Sequence, residues 1–502
     1  MTFRERISHV DTAWLRMDKP TNLMQIVGVM IFDGRLDFER FRRTIDARLL
    51  RYDRFRQCAV VEASGAWWEE DRNFDLDAHL KHAILPFPGG TEELQHYVAE
   101  LASTPLNPNR PLWEFQVVEM GTGDSALVAR IHHSIADGIA LIGVMMSLTD
   151  LRPDAPEGEP SRPQERHADE ELHDDSLGDM FWRWIFQPLS DATLSAIRLS
   201  GNLWVKYVGL MMDPGKAMHL AKLGTGIATE VGKLAMMPND SPTRFKGKPG
   251  INKSVSWSEP IPLPEVKAVG KVLGCSVNDM LLSSAAGALR AYLAEKGDPV
   301  SDVEVRALVP VNLRRAGDEQ QLGNRFGLVA LELPVGIENP LARVYETHNR
   351  MEALKGSLQA MLTLSILGAV GMAPKFVQQQ ILDLLANKAT AVMTNVPGPQ
   401  KPLWFAGSQL KQQMFWVPQS GNIGMGVSIL SYDNKVQFGL ITDRGFVPDP
   451  ENIVSRFRSE FEKLLWLVLM EPWDRLGDPD AVEAALPRRS RSSRPSSPAE
   501  EA

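Results

Sequence analysis

The stretch Ala129–Leu148, ARIHHSIADGIALIGVMMSL, ends an apolar strand-like run in two adjacent histidines, His132 and His133. Asp137, Gly138 and an apolar helical run follow. A metal site would need both imidazoles to converge on one ion. Neighbours in an extended strand point to opposite faces, and no HExxH spacing or cysteine cluster supplies further ligands, so no metal is expected. A serine-hydrolase triad would need a nucleophile, and the chain carries no G-x-S-x-G elbow, although residue order alone does not exclude a triad. A lone histidine can act as general base on an external hydroxyl, with one ring nitrogen facing the substrate and the other held in a fixed tautomer. A strand end gives such a base a rigid mount, and the Asp-Gly turn exposes it. The remaining reading is structural, with both rings buried against backbone carbonyls.

The elements around this stretch alternate between strand and helix. LMQIVGVMIFDG reads as a strand, Leu36–Arg56 as an amphipathic helix, and WEFQVVEM and SALVARIHH as strands parted by the turn GTGD. After about Pro242 the pattern resumes. A helix ends at Gly274, and a longer one starts at the N-cap Ser276 and stops at Gly297. The strands VEVRALVPVNLR and NRFGLVALELPV follow, then four more β-like runs from Ala389, and a last helix over PENIVSRFRSEFEKLLWLVLM. The expected fold class is α/β. Its expected divisions are 1–150, a linker and crossover over 151–240, a second domain over 241–480 and a disordered tail over 481–502. Arg152–Asp179 is acidic and Pro-rich. Met180–Met237 is dense in Trp, Phe and Met with scattered Arg and Lys, which suits a helical pair over an inter-domain core or a surface seated at a lipid interface.

Bulk properties narrow the function. A chain of 502 residues exceeds one ordinary core and favours two large domains. A formal net charge of -9 argues against nucleic acid as partner, because no basic field is available to neutralise phosphates. Two cysteines, Cys58 and Cys275, offer no disulfide framework and suit a reducing cytosol. MTFRERISHVDTAW lacks the apolar core of a secretory signal, and no run of eighteen apolar residues occurs. A cytoplasmic protein touching membranes only peripherally is expected.

HHSIADG matches the HHxxxDG signature of the CoA-dependent acyltransferase superfamily. From about Ser8 to Asp474 the chain resembles the bacterial wax ester synthase/acyl-CoA:diacylglycerol acyltransferase family, through RPLWE, SVNDMLLSSAAGALR, PVNLR with LGNRFG, and MTNVPGP. The resemblance implies two chloramphenicol-acetyltransferase-like domains, each a mixed sheet with flanking helices, and a tunnel between them. It implies transfer of a long acyl group from acyl-CoA to diacylglycerol or a long-chain alcohol, at the surface of the inner membrane or of lipid droplets. Acyl-CoA is then a substrate, and no bound cofactor is expected. Two alternatives keep the fold: acyl transfer with a carrier-protein-bound substrate, or a catalytically silent lipid-binding protein.

The same resemblance distributes roles. His133 is the general base and His132 supports it. Gly138 lets the next helix approach, and Asp137 pairs structurally with Arg314. Asn278 is either an oxyanion donor or an Asx-type contact at a helix start shared with Ser276 and Asp279. Thr394 and Asn395 form a second candidate pair before a rigid turn. Pro111, Leu112 and Trp113 shape the acyl region or a core edge. Gly323 and Asn324 match a Gly-Asn pair with a packing role.

Overall fold

The computed structural model describes residues 4–62, 65–156, 239–312, 324, 326–354, 363 and 388–485. The Met180–Met237 segment, Arg314 and Gly323 lie outside the described residues.

The N-terminal half runs β1 (Arg4–Arg6), α1 (His9–Met17), β2 (Gln25–Phe32), α2 (Phe38–Thr44), β3 (Gln57–Glu62), β4 (Gly65–Glu70), β5 (Leu80–Ile84), α3 (Thr91–Ala102), β6 (Trp113–Glu119), β7 (Ser125–His132) and α4 (Gly138–Leu148). The C-terminal half begins with β8 (Lys253–Trp257), β9 (Ile261–Pro262), α5 (Leu263–Leu273), α6 (Val277–Glu295), β10 (Val305–Asn312), β11 (Phe326–Leu333) and α7 (Pro340–Leu354). It continues with β12 (Ala391–Pro397), β13 (Trp404–Phe405), β14 (Ser408–Trp416), β15 (Met425–Tyr432), β16 (Lys435–Asp443), α8 (Glu451–Met470) and α9 (Pro479–Ala485).

Each half is built on a mixed sheet. The first has the order β13-β14-β2-β7-β6-β5 and the second β11-β10-β12-β15-β16-β8, with β9 also on β16. β7 is buried along its whole length, as a strand covered on both faces must be. β13 and β14 belong by sequence to the second half, yet β14 pairs antiparallel with β2, from Leu410 opposite Phe32 to Trp416 opposite Val27. The halves therefore share a sheet, and a core of Val27, Val29, Trp257, Met414, Trp416 and Ile441 lies where they meet.

Two expected boundaries move. The helix expected over Leu36–Arg56 is α-helical only to Thr44 and widens over Ile45–Leu49, where buried Arg48 reaches Asp150 Oδ1 at 3.0 Å. A helix reaches into the stretch expected as tail from residue 481. Asp478 Oδ1 accepts from the Ala481 N–H, Val482 is buried, and Asn339 Nδ2 donates to Glu483 Oε2 at 2.7 Å, so Pro479–Ala485 holds as a helix. Ser276 caps α6 as expected, in a capping box with Asp279, and Gly274 ends α5 at φ +65°.

Candidate active site

β7 ends at His132, the chain turns through His133–Asp137, and α4 starts at Gly138. The turn is tied at several residues. The His132 N–H donates to Leu112 O (2.9 Å) and the Ile135 N–H to His132 O (3.0 Å). His132 Nδ1 accepts from the Ser134 N–H at 3.1 Å and lies 2.8 Å from Ser134 Oγ, which fixes its proton on Nε2. Asp137 caps α4, its Oδ1 accepting from the Ala140 N–H at 3.0 Å.

His133 is held differently. Its N–H donates to Met24 O (2.7 Å) and its carbonyl accepts from Asn324 Nδ2 (2.7 Å). Its ring stacks on Trp14, with centroids 4.3 Å apart, and Phe326 stands 5.6 Å from it. Nδ1 of this buried ring has no hydrogen-bond partner among the described residues. Burial pushes the His133 pKa down to about 4, with the Asp137 charge acting in the opposite sense. Burial and the neighbouring His133 push His132 down to about 3. Both imidazoles are therefore neutral at pH 7. A neutral, rigidly mounted imidazole is what proton abstraction requires.

A second polar group sits at the start of α6. Asn278, fully buried, accepts at Oδ1 from Asn395 Nδ2 (2.6 Å), while its own Nδ2 has no partner among the described residues. Asp279 is committed to the fold, its Oδ2 accepting from the Ser276 N–H and lying 2.8 Å from His348 Nδ1. Thr394 Oγ1 donates to Val427 O at 3.3 Å within β12. In the turn that follows, a Cβ on Gly398 would fall 2.3 Å from Ser431 O, so only glycine fits. The structure thus joins Asn278 to Asn395 and His133 to Asn324. No hydrogen bond links the two groups among the described residues.

Two expected roles change, and Trp113 falls on the second of its two readings. Trp113 is a core residue: its ring stacks on His79 at 4.5 Å and its Nε1 donates to Phe55 O at 2.9 Å. Its neighbours act through backbone, Leu112 O holding His132 and Pro111 O accepting from the Trp113 N–H. Gly138 is not required by close packing, since a Cβ there would meet nothing nearer than Val417 Cγ1 at 3.9 Å among the described residues. Asn324 does more than pack, because its amide grips the carbonyl of His133. Asp11 and Trp14 were not singled out by sequence. The Ser8–Asp11 spacing signals a helix start, and nothing local points from it to His133.

The wax ester synthase/diacylglycerol acyltransferase catalytic-domain model matches residues 7–281, and the corresponding C-terminal domain model matches residues 322–465. The chain is 26% identical over 445 residues to a probable diacylglycerol O-acyltransferase of Mycobacterium tuberculosis, covering 86% of this chain and 88% of that protein. It is also 26% identical over 479 residues to a second probable diacylglycerol O-acyltransferase of that species, covering 90% and 97%. The fold is that of the wax ester synthase/diacylglycerol acyltransferase from Marinobacter aquaeolei, with a TM-score of 0.64 at 19% identity over 93% of this chain and 100% of that one. A condensation domain of the calcium-dependent antibiotic synthetase shares it at a TM-score of 0.54 and 14% identity, over 95% and 97% of the two chains. The catalytic-domain match runs through the His133 loop and the start of α6, and the C-terminal match takes in Asn324; the chain belongs to the wax ester synthase/diacylglycerol acyltransferase family.

Proposed function

We propose that this chain is an acyl-CoA-dependent O-acyltransferase that moves a long acyl group to diacylglycerol, to a long-chain alcohol, or to both. The observation that carries the reading is His133, a buried neutral imidazole fixed at both its N–H and its carbonyl on the loop where the two halves meet. His133 takes the proton of the acceptor hydroxyl as that oxygen attacks the thioester carbonyl. The tetrahedral intermediate collapses, the C–S bond breaks, and the proton passes to the departing thiolate to give CoA and the ester. No acyl-enzyme forms, so both substrates occupy one tunnel between the halves, and no bound cofactor takes part. Asn278 Nδ2, a buried donor with no partner among the described residues, supports its assignment to the developing oxyanion. In this reading Asp137 holds the turn as the cap of α4, with Arg314 the expected partner of its charge, rather than relaying protons.

Such acceptors dissolve in lipid, and a peripheral seat on lipid follows. Among the described residues no single helix is long and apolar enough to cross a membrane. Trp466, Leu469 and Met470 on the last turn of α8, with Trp473 just beyond, are each more than half exposed. This stripe supports docking onto neutral lipid. Replacing Trp466 and Trp473 by alanine is expected to weaken binding to a triacylglycerol emulsion roughly tenfold.

The test of the reaction is CoA release by purified protein given palmitoyl-CoA with a diacylglycerol, and separately with hexadecanol. Release with at least one acceptor, lost in His133→Ala, is expected. Silence with both would sink the proposal.

A further inference from the structure

The Asp11 carboxylate is buried, although a helix start needs no buried charge. Ser8 already caps α1, its Oγ accepting from the Asp11 N–H at 3.0 Å. Burial raises the Asp11 pKa, so enclosing this group works against its charged form. One of the carboxylate's two side-chain partners lies across the molecule. Oδ2 accepts from Ser8 Oγ at 2.7 Å, and Oδ1 accepts from Asn324 Nδ2 at 2.7 Å.

Asn324 Nδ2 has two hydrogens and two acceptors, Asp11 Oδ1 and His133 O, each at 2.7 Å. The chemistry fixes which way the amide points. Turned over, its oxygen would face a carboxylate and a carbonyl, with no proton between them. Two residues further on, Phe326 packs against both the Trp14 and His133 rings. The second half of the chain therefore grips the His133 backbone with one side chain and flanks its ring with another. The first half supplies the anchor, Asp11, and the stacking face, Trp14, from a single helix.

We propose that Asp11 and Asn324 form a brace that positions His133 for proton abstraction, so that the base is in register only when the two halves are joined. This inference rests on the reading of His133 as general base. Asp11 and Asn324 are positioning residues: they touch neither reacting atoms nor substrate, and act by fixing the carbonyl, and through it the backbone, of the residue that does.

The experiment measures kcat and KM for palmitoyl-CoA with the full-length protein and its best acceptor. Asn324→Ala removes the donor and lowers kcat roughly 10- to 100-fold, with KM for acyl-CoA within about threefold, the pattern of a misplaced group rather than a lost binding contact. Asn324→Asp, which sets a third oxygen against two others, lowers it further. Asp11→Ala loses about tenfold, and Asp11→Asn, which keeps an acceptor oxygen, recovers most of that loss. The double variant Asp11→Ala/Asn324→Ala is no slower than Asn324→Ala alone, because one brace is broken once. The brace is overturned if Asn324→Ala keeps kcat within about twofold of the parent, or if the two single losses multiply in the double variant. Should Asn324→Ala fail to fold, the Asp11→Ala and Asp11→Asn pair decides, equal kcat in the two overturning it. His133→Ala separates the two ideas. A silent His133→Ala removes the base itself, whereas a dead His133→Ala beside a normal Asn324→Ala removes only the brace.

Discussion

The His133 turn and the start of α6 solve one problem in opposite ways. Each presents a buried polar atom without a partner among the described residues, His133 Nδ1 and Asn278 Nδ2. At α6 everything that holds the group comes from the same half: Ser276 and Asp279 from the helix start, Asn395 from β12, and His348 from α7. At His133 the N–H is held from the first half and the carbonyl from the second. A buried polar atom left open is costly and has to be explained by use. The Asn278 group is thus held within one half, whereas the His133 turn is completed by both.

The sharpest way to break this contrast is His133→Ala. Turnover is expected to fall by about a hundred- to ten-thousand-fold, with little change in the unfolding midpoint beyond that of a lost buried ring. If turnover survives, the His133 turn is scaffold and the two regions are alike. Asp137→Asn tests the turn's foundations. An asparagine keeps the cap on α4 and loses the charge, so the pairing proposed with Arg314 predicts a loss of roughly 3–5 kcal/mol in denaturant unfolding. A change of a few tenths would leave Asp137 a cap and no more. Asn278→Ala should cost about a hundredfold in kcat and, because the Oδ1 bond from Asn395 goes with it, about 1–3 kcal/mol of stability. A drop in stability with normal kcat would make Asn278 a structural residue.

What the sequence made legible follows the range of the forces involved. Local patterns were readable because local physics sets them: Ser276 before its apolar run, Gly274 at positive φ, and the strand that ends in His132. The HHSIADG turn was readable for the same reason, since strand, Asp cap and helix are successive. The brace was not. Asn324 lies 191 residues from His133 and 313 from Asp11, and no periodicity encodes a partner at that distance. β14 showed its alternation clearly, but a strand's pattern does not say which sheet will take it, and this one joined β2. Trp113 stayed open between two readings because an indole beside a signature motif looks the same in sequence whether it lines a site or, as here, stacks on His79 in the core.

The last prediction turns on acid. Both imidazoles of the His133 turn ordinarily titrate near 6.5, and in the folded protein burial lowers them to about 3 and about 4. Between 6.5 and those values the unfolded chain binds two protons that the native state refuses. Stability is therefore full above pH 6.5 and is lost progressively as pH falls, by roughly 1.4 kcal/mol per histidine for each pH unit. Activity should behave differently. The acid limb of kcat/KM reports the free enzyme's base and is expected near pH 4, so at pH 5.5 the protein loses stability while its folded fraction keeps turning over. Urea midpoints at pH 7.5, 6.5 and 5.5, for the parent and for His133→Ala, check the origin of the slope. Removing His133 should lessen the slope without abolishing it, the remainder coming from His132 and from His79, whose pKa burial also lowers. An unchanged slope in His133→Ala would place the acid sensitivity elsewhere and erase the electrostatic difference between the two regions.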